Sequence, residues 1–355
     1  MKVALTGLPQ SGKSTLLSAV SGKDVPPMGV TNIEEAVVPV PDERLEWLTE
    51  YYKPKKTVHA AIDCLDLPGF SFTDDRGRTA ARRLIDQIRT VDLLVLVIRA
   101  FDNPSVPPYR NSVDPARDLE ELRTELLLAD LELVTTRIER LEKQVNKPTK
   151  TQSRDKAELA LQRKLQETIE AEKPISSAIS SEKEVEIVKS LGFLTMKPML
   201  IAVNIDENRL EGEVDLGEGM EGVNEVKISA GLEHELSLLD SESRQEFMAD
   251  LGLTESAVSK FVNSCYSALG LISFLTVGSD EVRAWPILNG TTALDAAGKI
   301  HTDIKRGFIR AETFSYEDLK EAGDEKALKA AGRIRLEGKE YGVKDGDIIN
   351  FRFNV

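Results

Sequence analysis

The sequence predicts an α/β fold: a doubly wound, mostly parallel sheet, interrupted by an inserted α-helical hairpin and followed by a small C-terminal α+β domain. Three observations predict it. A glycine-rich loop, Gly7-Leu8-Pro9-Gln10-Ser11-Gly12-Lys13-Ser14, lies between a short apolar segment and a helical one. Continuous apolar runs recur downstream, as strands buried on both faces require. Beyond Ala268 the texture changes to short strands separated by turns.

Lys2–Thr6 reads as a buried strand, and Ser14–Val20 as the helix that follows the loop. Ala60–Asp66 is a second strand, ending in an acid. Leu93–Ile98 and Met199–Asn204 are continuous and apolar, and complete the pattern of a doubly wound sheet. The stretch from Asp114 to Pro174 is charged and helical. Leu119, Leu122, Leu126, Val134, Ile138, Leu141 and Val145 recur largely at helical spacing, Lys147-Pro148-Thr149 breaks the run, and Leu161, Leu165 and Ile169 resume it. An antiparallel hairpin is expected, the alternative being two ordinary helices lying on the sheet. Helical patterning returns from Ala230 to about Ala268. Phe274–Val277, Val282–Ile287, Gly307–Ala311 and Ile348–Phe353 then read as strands, with a turn at Val343–Asp347. The expected domains are 1–112 with 198–272, the insert 113–197, and 273–355.

Composition narrows the class. The 355 residues are 41% hydrophobic and 30% charged, as in ordinary globular proteins. No apolar run reaches about 18 residues, so no membrane association is expected. The chain opens directly on a strand, so no cleavable signal and a cytoplasmic location are expected. Cys64 and Cys265 read as reduced core residues. A net charge of −14 argues against nonspecific nucleic-acid binding, and DNA is not an expected partner. From Gly278 onward, 13 Lys and Arg face 14 Asp and Glu, so local contact with RNA is open there. Lys305, Arg306 and Arg310 form one candidate basic cluster, and Arg333, Arg335 and Lys339 another.

The chemistry centres on the loop. It matches G-x-x-x-x-G-K-[ST], which aims backbone N–H groups and a helix N-terminus at phosphate. Lys13 is expected at the β- and γ-phosphates and Ser14 on Mg²⁺, with Gly7, Gln10, Ser11, Gly12 and Thr15 completing the cradle. Asp66-Leu67-Pro68-Gly69 leaves the second strand; Asp66 would hold Mg²⁺ through water, and Gly69 would offer its N–H to the γ-phosphate. Asn204-Ile205-Asp206-Glu207 leaves another strand, where switch GTPases carry N-K-x-D. Ile205 replaces the Lys that packs over the base, and Glu207 stands for the Asp that reads guanine, which weakens the guanine reading without proving adenine. Ser229-Ala230 would supply a backbone N–H to the base, and Thr31 is the candidate to close on Mg²⁺. Two other functions remain open: a small-substrate kinase using Arg76, Arg78, Arg82 and Arg83, and a binding module with little or no turnover. His59, His234 and His301 are isolated, and no Ser/His/Asp set is present.

These elements in this order resemble the YchF/Obg-like ATPase family of translation-factor-class P-loop GTPases, over essentially the whole chain. Its markers are Val38–Leu45, Val113–Asp118, the N-x-x-E base motif, Glu281–Trp285, Arg306–Glu312 and Asp345–Val355. The resemblance implies ATP preferred over GTP, slow hydrolysis, association with ribosomes or ribosomal RNA, and a C-terminal TGS-like β-grasp domain. Phe70 stands where many GTPases carry a water-positioning Gln, so no catalytic side chain is assigned. Hydrolysis would draw on backbone groups, the substrate's phosphate, a cation or a partner. Gln10-Ser11 replaces the family's usual Asn-Val, the Asn being linked in related enzymes to activation by K⁺. Ser71–Arg78 replaces its glycine-rich second switch, and Thr31 sits one residue from the family's alignment.

Overall fold

The computed structural model describes residues 1–23, 32–146, 151–209, 212–217, 223–253 and 255–354. In chain order the elements are β1 (Lys2–Thr6), α1 (Lys13–Ser21), β2 (Glu34–Pro39), α2 (Glu43–Tyr52), β3 (Lys56–Val58), β4 (Ala61–Asp66), α3 (Asp75–Gln87), β5 (Leu93–Ala100), α4 (Pro115–Val145), α5 (Gln152–Glu170), α6 (Glu182–Lys189), β6 (Met199–Ile205), β7 (Asn224–Ile228), α7 (Ala230–Ser237), α8 (Ser241–Asp250) and α9 (Ala257–Ala268). The C-terminal part adds β8 (Leu271–Thr276), β9 (Glu281–Leu288), α10 (Ala293–Ile300), α11 (Thr302–Arg306), β10 (Phe308–Ser315), α12 (Tyr316–Ala322), α13 (Glu325–Ala330), β11 (Arg335–Glu337) and β12 (Asp347–Phe353). Two compact units result: Met1–Ala36 with Cys64–Val258, and Val37–Asp63 with Ser259–Val355.

The first unit is built on a sheet of order β2-β4-β1-β5-β6-β7. β1, β5, β6 and β7 pair in parallel, with Leu5 beside Val95, Val95 beside Leu200 and Asn204 beside Ile228. β5 is buried along its whole length, as its unbroken apolar run predicts.

α4 starts where the sequence signals it. Asp114 caps it by accepting a hydrogen bond from the Arg117 N–H, and Pro115 occupies the first turn. The helix then does two things that the sequence offered as alternatives. Leu119, Leu122 and Leu126 pack into the core beneath the sheet, whereas Val134, Ile138 and Leu141 pack with Leu161, Leu165 and Ile169 of α5. The Lys147-Pro148-Thr149 break lies outside the described residues. Between the halves sits Asp130, fully buried. Its carboxylate accepts from Arg89 (2.8 Å), the backbone N–H groups of Leu194 (3.1 Å) and Thr195 (2.9 Å), and the Thr195 hydroxyl (2.9 Å). Arg89 also donates to the carbonyls of Ala129 and Gly192.

The second unit has a sheet of order β11-β10-β12-β8-β9-β3. β12 runs parallel to β8, while β8–β9, β10–β12 and β10–β11 are antiparallel, which gives the β-grasp pattern. Phe274, Phe308 and Phe351 fill its core, with Trp285 stacked on Phe274. The sixth strand comes from far upstream: β3 lies parallel on β9, with Thr57 beside Val282. Arg44 of α2 pairs with Asp345 at 2.7 Å, Trp47 meets Tyr316 edge-on, and the Tyr52 hydroxyl donates to Glu325 at 2.5 Å. Residues 37–63 and 259–272, read from sequence with the N-terminal domain, thus group with the C-terminal sheet. A three-residue strand is too short to show a period, and its partners lie more than two hundred residues away.

Removing Asp130 leaves the mostly buried Arg89 with only the exposed Asp86 as counter-charge, at 3.3 Å, and deprives the Leu194 and Thr195 N–H groups of their acceptor. Asp130→Ala is expected to cost about 3–5 kcal/mol and lower the melting temperature by roughly 6–20 °C. A shift under about 2 °C, measured by calorimetry, contradicts this reading of the α4 anchor.

Candidate nucleotide-binding site

The loop after β1 is held by close approaches. The Thr6 hydroxyl donates to the Val95 carbonyl at 3.0 Å. A Cβ at Gly7 would lie 2.5 Å from the Val97 carbonyl oxygen, and one at Gly12 only 2.1 Å from the Asn204 side-chain nitrogen. Gly12 has φ 92° and Gln10 φ 60°; the latter is an exposed residue in the left-handed region. Gly12 also stands at the N-cap of α1, where no side chain caps the helix, so its first N–H groups face the loop unsatisfied by side chains. Ser14 and Thr15 follow, both half-buried. The Lys13 ammonium folds over the loop and donates to the carbonyls of Leu8 (2.9 Å) and Gly7 (3.3 Å) and to the Ser11 hydroxyl (3.3 Å). Burial lowers its pKa to about 8, against the opposing pull of Asp66.

β4 delivers Asp66 to the same place. One carboxylate oxygen accepts from the Ser14 hydroxyl at 2.5 Å; the other is buried without a hydrogen-bond partner among the described residues. Burial raises this carboxyl's pKa, opposed by Ser14 and Lys13. The turn beyond it is stitched to the loop, since the Phe70 N–H donates to the Gly7 carbonyl at 3.0 Å. Gly69 is required by contact, because a Cβ there would meet the Pro9 Cα at 2.6 Å. The Phe70 ring is buried in the core near Phe72, away from solvent.

The third element closes the site. The Asn204 amide donates to the Ser11 carbonyl and accepts from the Ala230 N–H, both at 3.0 Å, and is itself buried. Ser229 beside it is buried too. Asp206 accepts from the Asp102 N–H at 3.2 Å, and Glu207 stands exposed at the start of a single helical turn. Ile205 is not brought to the site. It lies in the core, because β6 extends through it and adjacent strand residues face opposite ways. Thr31 lies outside the described residues.

Sequence reasoning missed Arg99 and Phe101. The Phe101 ring comes within 3.8 Å of where a Gly12 Cβ would stand. Arg99 stacks on that ring at 4.3 Å and donates to the carbonyls of Phe101, Val106 and Pro107. An arginine near the end of an otherwise apolar strand was the available signal, since a buried cation needs partners.

The basic clusters read from sequence are largely neutralised. Lys305 pairs with Asp295 (2.8 Å), Arg306 with Asp303 (3.0 Å), Arg333 with Asp318 (3.1 Å) and Glu321, and Arg335 with Asp347 and Glu337 (both 3.4 Å). Their acids sit within fifteen residues in sequence, which a count of cations does not register. No helix among the described residues is long and apolar enough to cross a membrane.

A glycine loop opening a helix, an acid at the end of the neighbouring strand and an Asn-led turn behind them define a P-loop nucleoside-triphosphate-binding protein of the GTPase type. Family comparisons agree: residues 2–137 match the model described as 50S ribosome-binding GTPase, and residues 271–354 the YchF GTPase C-terminal model, described as a protein of unknown function. The chain is 39% identical to the ribosome-binding ATPase YchF of Bacillus subtilis (strain 168), with both chains fully covered. It is 35% identical to human Obg-like ATPase 1, covering all of this chain and 93% of that one. The solved YchF GTPase of Schizosaccharomyces pombe superposes with a TM-score of 0.86 at 34% identity, covering 99% of this chain and 97% of that one. This chain belongs to the YchF/Obg-like ATPase family.

The buried Lys13 has a measurable consequence. With a folded pKa near 8 against about 10.5 unfolded, the folded state holds fewer protons between those values, so its burial cost is full below pH 8 and is relieved as pH rises to 10.5. The melting temperature of nucleotide-free Lys13→Met relative to wild type is therefore expected to fall as pH rises from 8 to 10.5. A difference independent of pH would contradict the burial of this ammonium.

Proposed function

We propose that this chain is a nucleotide-dependent switch that binds and slowly hydrolyses ATP, takes GTP more weakly, and works on the ribosome in the cytoplasm. The observation that carries the reading is the base-side turn. Asn204 is tied to the P-loop, Ile205 is buried in the core where a base-covering Lys would stand, and Glu207 replaces the guanine-reading Asp. Ribosome action is supported by the names of its full-length relatives, ribosome-binding ATPases.

Each residue has a role in this reading. Gly7, Gln10, Ser11, Gly12 and Thr15 form the phosphate cradle with the N-terminus of α1, and Lys13 swings from its carbonyl contacts to the β- and γ-phosphates. Ser14 and the unpartnered oxygen of Asp66 are hard oxygen donors, suited to Mg²⁺, with Thr31 as the further ligand. That ion would neutralise charge on the phosphates. Gly69 presents its backbone N–H toward the γ-phosphate. Asn204, Ser229 and Ala230 border the base, and Phe101 offers it a ring. Phe70 is sequestered in the core, so attack of water relies on backbone N–H groups and the substrate's own phosphate. Gln10-Ser11 stands in place of the Asn-Val whose Asn related enzymes link to K⁺ activation, which weakens the case for K⁺ as a second cofactor without removing it. The division into nucleotide-binding domain, helical hairpin and TGS-like domain belongs to the same proposal.

The test is titration of ATP and GTP into nucleotide-free protein, with turnover measured with and without ribosomes. ATP is expected to bind more tightly, and turnover to rise with ribosomes. Lys13→Ala removes a charge-assisted contact worth roughly 1.5–3 kcal/mol, so ATP affinity should fall by about 10- to 150-fold. Tighter GTP binding, or unchanged ATP affinity in the mutant, overturns the assignment. Binding without turnover under either condition would make the chain a ribosome-interaction module instead.

A further inference from the structure

The geometry points to the α7–α8 turn, with α8 itself, as a docking surface for a basic amphipathic segment of a partner protein. Leu238 is 71% exposed, and Leu239, Phe247 and Leu251 are 37%, 43% and 45% exposed. Four large apolar side chains exposed within fourteen residues depart from the scattered pattern normal on a surface.

Arg244 ties α8 to the end of α7. It donates to the carbonyls of Leu236 (2.9 Å), Ser237 (3.4 Å) and Leu239 (3.3 Å), which closes the C-terminal end of α7. Phe247 and Leu251 follow Arg244 at steps of three and four, so they share its helix face. The frame is capped at both ends. Asp240 accepts from the Ser243 N–H at 2.9 Å. The helix ends at Gly252 in the left-handed conformation, with the Leu253 N–H returning to the Met248 carbonyl at 2.9 Å. The apolar side chains are thus displayed on a built helix.

Charge selects the occupant. Asp240, Glu242, Glu246, Asp250 and Glu255 are exposed around these residues, and the only cation between Leu238 and Glu255, Arg244, is engaged with carbonyls. Such a rim repels a phosphate backbone, so the surface does not suit RNA. A second copy of the chain would bring like charges to the same patch. An apolar centre with an acidic rim complements a helix whose apolar face is flanked by Lys and Arg. The inference is independent of the nucleotide reading, since no residue of the patch lies in that site.

The experiment uses the full chain and a labelled synthetic helical peptide of Leu and Lys at amphipathic spacing, followed by fluorescence anisotropy. The peptide is expected to bind. Phe247→Ala with Leu251→Ala should weaken binding at least tenfold, and Glu242→Lys with Glu246→Lys should do the same. Glu186→Lys, a charge reversal on α6, should leave it within twofold. Melting temperatures and ATP affinity report that the variants fold. Equal weakening by Glu186→Lys, or no weakening by the two patch variants, overturns the proposal. So does tighter binding of a single-stranded RNA oligomer at the patch. A concentration-dependent dimer abolished by Phe247→Ala, seen by sedimentation, would overturn it in favour of self-association.

Discussion

The first unit depends on one buried carboxamide. Asn204 has room for two partners and uses both: its nitrogen holds the Ser11 carbonyl of the P-loop, and its oxygen holds the Ala230 N–H at the start of α7. Three chain segments far apart in sequence are thereby fixed to one another. An unpaired buried amide would cost about 1–3 kcal/mol, so each contact also enforces the others. The same side chain explains why residue 12 is glycine, since a Cβ would collide with it. Gly12 in turn leaves the start of α1 without a side-chain cap, and this frees the helix N–H groups for an anion.

Around that clamp, two opposite charges are buried side by side. Lys13 is buried and held by carbonyls that offer it no counter-charge, and burial pulls its pKa down while Asp66 resists. Asp66 is held by Ser14 through one oxygen and keeps the other without a partner. Burial disfavours the charged form of both groups, and their mutual attraction offsets this in part.

Much of this was legible in the sequence. The unbroken apolar run at Leu93–Ile98 read as a central parallel strand, which it is, and the glycine spacing announced the loop. The charged helical stretch read from Asp114 onward contains α4, which starts at Pro115. What was illegible has physical reasons. β3 is too short to show a period, and the Arg44–Asp345 pair joins residues 301 apart, so nothing local announced that residues 37–63 belong with the C-terminal sheet. Ile205 stands where switch GTPases carry the Lys that packs over the base, yet the strand continues through it and turns it into the core. The dual role of α4 was offered as a choice because its apolar stripe is continuous, and only the identity of what packs on each half separates them.

The central claim is that Asn204 shapes the phosphate cradle as well as bordering the base. The most direct measurement compares wild type with Asn204→Asp in binding ATP and binding inorganic tripolyphosphate, which has no base. The substitution keeps size and the acceptor toward Ala230 but replaces the donor to Ser11 with a repelling oxygen. Affinity for both ligands is expected to fall at least tenfold. Loss of ATP affinity with tripolyphosphate binding unchanged would contradict the account, since Asn204 would then act on the base alone.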